Sequence, residues 1–200
     1  QTLKEVYKSS GDSKILFFDN GSEPSFKDLV DGYNIQYHRE PKNIYVNPAW
    51  NKIFDMVKTE YITLLNNDCF ILSKKYFDDI IPDMKKNDII LSSCYTKNLK
   101  SITYFKFIAY QFINYIFYNY SLSYLENTHR QGWLMTINLH KYKTLNYKIP
   151  SYIKIWFGDD WIWGEIKKNG KKAVVYNNRL ALHIKSTTTT SKHIKKMINT

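Results

Sequence analysis

Cysteine is scarce in this chain of 200 residues: Cys69 and Cys94 are the only two. They are too few and wrongly spaced for a zinc site or a disulfide framework, which points to a reducing compartment. Glycine and proline are sparse as well, at 7 and 5, and no stretch rich in them marks a linker. The expectation is therefore one domain over residues 1–200, large enough to bury a core without staples. No internal repeat is present, and low complexity is confined to residues 187–190. Residues 1–8 lack the apolar centre of a secretory signal. The chain also lacks an uninterrupted apolar run of membrane length. Residues 102–125 come nearest, but Lys106, Gln111, Asn114 and Asn119 interrupt them, so they read as a buried or interfacial helix.

Acidic residues are in deficit, 18 against 29 Lys plus Arg, for a net charge of +11. A surface of that sign attracts nucleic acid, anionic lipid or a nucleotide diphosphate, and charge alone does not choose among them. The composition is otherwise that of a globule, 44% hydrophobic and 16% aromatic. Aromatic residues and positive charge together suit a basic nucleic-acid-binding module. Most of the aromatics, however, lie in strongly apolar runs such as 105–120, where a core explains them more simply.

Hydropathy alternates between strand-like and helix-like segments. Strands are expected at 14–19, 34–38, 61–65, 88–95, 132–138, 173–176 and 180–184. Helices are expected at 2–10, 25–31, 49–57 after Pro48, 74–86, 101–125, and from Asp159 to Gly170. The order predicts an α/β fold with a mostly parallel central sheet flanked by helices. The run at 14–19 reads as a strand covered on both faces.

In such sheets ligands collect at the carboxyl ends of the strands. Two polar turns fall there: Asp19-Asn20-Gly21-Ser22, and Asn66-Asn67-Asp68. Each is an ordinary turn when taken singly. A diphosphate leaving group needs a hard cation with oxygen ligands, and Asp68 is the charged ligand of its turn. Asp159 and Asp160 open a helix beside Trp156, Trp161 and Trp163. Apolar surroundings and a like-charged neighbour suit one of them for general-base work, while the other can cap the helix. His183 closes an apolar strand just before Lys185 and four threonines, a loop suited to diphosphate oxygens.

The order of these motifs resembles the GT-A fold glycosyltransferases, specifically the inverting family 2 group and its rhamnosyltransferase-like members. The resemblance implies that Asp19, Asn20 and Ser22 form the first nucleotide-contacting turn, with Asp19 near the base, and that Asn43 and Asn51 belong to the same pocket. It implies that Asn66, Asn67 and Asp68 are a version of the DXD motif, and that Gly132-Trp133 lines the donor sugar. Asp159 or Asp160, followed by Trp161, would be the acidic base motif, and His183 a late ligand of Mn2+ or Mg2+. Arg39 and Lys185 are expected on phosphate. The function implied is transfer of a sugar from a UDP or TDP donor to a glycan, glycoprotein or other hydroxyl acceptor, in a single catalytic domain that is cytoplasmic or peripheral to a membrane and takes no nucleic acid. Family members begin with an apolar strand and a Pro-Thr-like turn, so that first strand is expected to be missing before Thr2. Asn66 in place of an acidic residue implies weaker metal binding. A catalytically idle relative that binds glycan or membrane through residues 102–125 is the alternative within the same resemblance.

Overall fold

The computed structural model describes residues 13–73, 75–99, 104–118, 121–126 and 132–184, together with Val6. Of the expected helix at 2–10 only Val6 falls among them, and it is helical; Lys185 lies outside them. Strands β1 (Ile15–Asp19) and β2 (Ile35–Arg39) pair in parallel as a separate two-stranded sheet, joined by the short helix α1 (Lys27–Val30). Among the described residues β1 has no second strand partner, and four of its five residues are only half-buried, not covered on both faces as the apolar run suggests.

The main sheet comprises β3 (Tyr61–Leu65), β4 (Cys69–Ile71), β5 (Ile89–Leu99), β6 (Tyr124–Glu126), β7 (Leu134–Asn138) and β8 (Lys172–Ile184). Its order is β3-β7-β5-β8-β4, with β6 also on β8. The pairing is mixed. β5 and β8 are parallel to each other, whereas β7 is antiparallel to both β3 and β5. The strands β3, β5 and β8 consequently run the same way, and their carboxyl ends share a rim with the start of β7.

Helices α2 (Val46–Met56), α3 (Tyr76–Lys86), α4 (Tyr104–Tyr118), α5 (Leu139–Tyr142) and α6 (Gly158–Lys168) complete the described architecture. Alternation along the strands shows why the sheet is covered on both sides. Met135, Ile137, Ala173 and Val175 join Phe54 of α2 and Ile162, Trp163 and Ile166 of α6 in one apolar cluster. Their neighbours Leu134, Val174 and Tyr176 join Tyr76, Ile80 and Met84 of α3 in another. A smaller cluster holds Phe107 of α4 against Phe70, Leu72 and Leu182.

Two strands expected from the sequence, at 173–176 and 180–184, are one strand. Between Cys94 paired with Tyr176 and Tyr95 paired with Leu180, β8 advances by residues 177–179 without β5 advancing. This bulge is held on both sides: Arg179, buried, reaches Asp79 of α3 at 3.2 Å, and the Asn177 N–H donates to the Ser123 carbonyl at 3.1 Å. The outer edge of β8 changes partner there, from β6 at 174–176 to β4 at 181–183. The expected long helix ends at Tyr118, and part of its last turns is β6 instead.

Candidate functional site at the sheet rim

β3 ends at Leu65, opposite Leu134 of β7. The Asn66 N–H then donates to the Trp133 carbonyl at 3.0 Å, and the Cys69 N–H closes the turn on the Asn66 carbonyl at 3.1 Å. Cys69 enters β4 opposite His183, and the Ile184 N–H donates to the Asp68 carbonyl at 2.9 Å. These backbone bonds bring two residues far apart in sequence side by side. His183 Nε2 lies 3.4 Å from Asp68 Oδ1, with both side chains nearly buried.

Three contacts fix the imidazole. The Trp133 ring stacks on it at 4.6 Å and 6°. Asn98, its partner in the β5–β8 register, faces Nδ1 with its amide oxygen at 2.9 Å. Nε2, on the other side of the ring, faces the Asp68 carboxylate. With Nδ1–H given to Asn98, the Nε2 lone pair is directed at the same point as the Asp68 carboxylate. Adjacent donors on one divalent ion, at bond lengths of roughly 2.0–2.2 Å, stand on the order of 3 Å apart, so the observed spacing fits. Among the described residues no cluster of three or more His, Cys, Asp or Glu can hold a metal ion. Asp68 and His183 together therefore fit a site in which other ligands, such as diphosphate oxygens, complete the shell. Asn98 was not singled out from the sequence; only its pairing with His183 across the register reveals it.

Asp159 comes to the same rim by way of Gly132. A methyl group added at Gly132 would lie 3.1 Å from Asp159 Oδ2 and 3.2 Å from its Cγ. The absent side chain thus lets the carboxylate close on the backbone next to Trp133. Asp159 and Asp160 both stand in the first turn of α6, where unpaired N–H groups favour negative charge. Neither is the N-cap expected from the sequence: Phe157 holds that position in a left-handed conformation, φ 63°, without a side-chain cap.

The other predicted residues have partners within the chain. Asp19 is 1% exposed and accepts from the Ser22 N–H, the Phe26 N–H and the Tyr37 hydroxyl, at 2.9, 3.2 and 2.6 Å. Burial opposes its ionisation, but the hydrogen bonds, Tyr37 foremost, outweigh it and hold the carboxyl below its ordinary value. Arg39 clasps the same turn, donating to the Ser22 carbonyl at 2.8 Å and to Glu23 at 2.6 Å. Asn20 bonds Asn43, the Tyr45 carbonyl and the Ile44 N–H, tying that turn to the entry of α2. Asn51 donates to the Ile149 carbonyl at 2.8 Å and accepts from its N–H at 2.9 Å. These bonds brace the turn and loops to which the resemblance assigns nucleotide contacts. Trp161 packs against the main apolar cluster, and Asn67 is exposed in the turn before Asp68.

Comparison with known proteins bears on the family and the fold. The sequence profile of Glycosyl transferase family 2 matches residues 1–151. No curated protein gave a sequence match. Among solved structures, GalNAc-T7 with UDP, GalNAc and Mn2+ superposes with a TM-score of 0.68 at 11% identity, over 91% of this chain and 40% of that one. A mannosyltransferase from Pyrobaculum calidifontis in complex with GDP-Man and Mn2+ gives 0.66 at 10% identity, over 94% of this chain and 53% of that one. The likeness is one of fold, and the chain spans about half the length of these proteins or less.

Proposed function

The chain belongs to glycosyl transferase family 2, and on that premise we propose that it transfers a sugar from a nucleotide diphosphate donor, UDP- or TDP-linked, to a hydroxyl of a glycan acceptor with inversion at the anomeric carbon. The observation that carries this reading is the gathering of Asp68, His183 and Asp159 around Gly132 and Trp133. Solved neighbours hold UDP or GDP-Man together with Mn2+, which supports a donor of this class.

In this reading Asp68 and His183 hold Mn2+ or Mg2+, with Asn98 and Trp133 keeping the imidazole in place. The bound ion supplies positive charge to the diphosphate as it leaves. Asp159 is the preferred general base, because its carboxylate borders the rim, and it takes the acceptor proton while the hydroxyl attacks the face opposite the diphosphate. Asp160 in the same turn is the second candidate. Asp19, Asn20, Ser22, Arg39, Asn43 and Asn51 act indirectly, by holding the turn after β1 and the loops beside it in shape.

Donor turnover with and without manganese tests the reading, together with titration calorimetry of UDP in manganese. Turnover should require the ion, and Asp68→Ala should remove the manganese-dependent part of UDP affinity. Unchanged UDP affinity in that variant would rule out the metal assignment.

A further inference from the structure

Helix α4 turns its more polar side inward. Phe107 and Asn114 are buried, and Tyr110 and Gln111 half-buried; positions 107, 110, 111 and 114 make one helical face. That face rests on Phe70, Leu72 and Leu182 through Phe107 and Tyr110. The opposite face presents Phe105, Ile108, Phe112, Ile113, Tyr115 and Ile116, between 40 and 84% exposed. Surface helices of globular proteins show the reverse arrangement, and so many large apolar side chains on one 15-residue helix mark a contact surface rather than scattered exposure.

Charge identifies the partner. Lys106 is the only charged residue of α4, and residues 89–125 contain no Asp or Glu while Lys97, Lys100 and Lys106 lie among them. Lys97 and Lys106 are exposed. We propose that this face of α4 lies in the headgroup layer of an anionic lipid bilayer, its Phe and Ile side chains entering the acyl boundary and Lys106 meeting phosphate. Aromatic and aliphatic side chains bordered by lysine and free of carboxylates suit that boundary. A second copy of the chain suits the face less well, because a symmetric contact would bring like charges together with no carboxylate from either segment to offset them. Among the described residues no helix is long and apolar enough to cross a membrane, so α4 would lie along the surface.

The position of α4 ties this surface to the rim. Phe107 meets Phe70 edge to face at 6.1 Å, and Phe70 follows Asp68 by two residues. The lipid would then lie about one helix diameter, ~10 Å, beyond the strands that carry Asp68 and His183. The inference stands on α4 alone and does not depend on sugar transfer.

Co-sedimentation with vesicles tests it. Binding to vesicles containing phosphatidylglycerol should exceed binding to pure phosphatidylcholine by ~10-fold or more, given about 1 kcal/mol for each lysine near the surface. The double variant Phe105→Ser/Phe112→Ser, both sites being exposed, should keep the melting temperature and lose ~10²-fold in affinity for the anionic vesicles. No binding to anionic vesicles, equal binding to neutral ones, or a well-folded double variant that still binds would each overturn the proposal. So would lipid-free sedimentation showing a two-chain mass that falls to one chain in the variant, which would assign the face to self-association.

Discussion

Gly158 lies directly against the amide of Asn47: a methyl group added there would sit 2.0 Å from Asn47 Oδ1. Asn47 cannot yield easily, because it is buried in α2 and its Nδ2 donates to the Ile153 and Trp156 carbonyls, each at 3.1 Å. One amide therefore seats both the loop before α6 and the first residue of α6, and the position of Asp159 follows from that seat.

Gly158→Ala should accordingly cost ~1–3 kcal/mol, the usual range for overpacking a filled site, and lower the melting temperature by ~2–4 °C for each kcal/mol at this chain length. Transfer activity should fall by more than the folded fraction accounts for, since the aspartate is displaced as well. A calorimetric scan and an activity measurement well below the transition would separate the two effects.

Asn98 gives a cleaner variant, because it touches His183, the proposed metal ligand, without being proposed as one. Asn98→Ala should weaken manganese binding, followed by electron paramagnetic resonance in the presence of UDP, by ~10–100-fold, the usual effect of losing the group that orients a ligating histidine. Asn98→Asp retains an acceptor facing Nδ1 and should bind manganese at least as well as the parent protein. Equal affinities in all three proteins would remove Asn98 from the site.

For the base, Asp159→Asn should leave donor affinity near normal and slow transfer ~10²-fold or more. Asp160→Asn should have the smaller effect. The reverse order in steady-state kinetics would move the role to Asp160, and full rates in both would move it outside this turn.

Two carboxylates away from the rim set an acid limit on stability. Glu40 is buried, with Lys52 Nζ at 2.5 Å and His38 Nε2 at 2.6 Å, and these partners, Lys52 foremost, hold its carboxyl below the ordinary value. Asp19 is depressed likewise. A carboxyl depressed in the folded state stabilises fully above its unfolded pKa, about 4, and that contribution disappears as pH falls through the lower folded value. Urea midpoints should therefore be steady from pH 7 to about 5 and drop below about 4. The drop should be shallower in Glu40→Gln, which starts from a lower plateau.

Much of this arrangement was legible in the sequence. The apolar run Tyr61–Leu65 closing in Asn66-Asn67-Asp68, and the aspartate pair opening a helix that ends by Gly170, marked the β3 turn and α6 before any coordinates. What escaped was pairing at a distance. An asparagine amide looks the same in sequence whether it meets a nucleotide or, as with Asn51, the backbone of Ile149 some 98 residues away. The sequence likewise gave no sign that Tyr37 and two backbone N–H groups bond the Asp19 carboxylate. The α/β order with a helix-flanked central sheet was legible, whereas the reversal of β7, an ordinary apolar run, carries no mark in the sequence. Residues 177–179 read as a loop between two strands because Asn-Asn-Arg suits a loop, whereas neighbouring chain on both sides holds them within one.

That loop-out has an arithmetic consequence. Side chains along a strand address opposite sides in turn, so three surplus residues, an odd number, reverse the parity of everything downstream. Were the chain to run straight from Tyr176, His183 would exchange sides with its neighbours and look away from Asp68. The face that His183 addresses is thus set by a segment that gives the rim no side chain of its own: the same sequence with residues 177–179 drawn into the ladder would turn His183 to the other side.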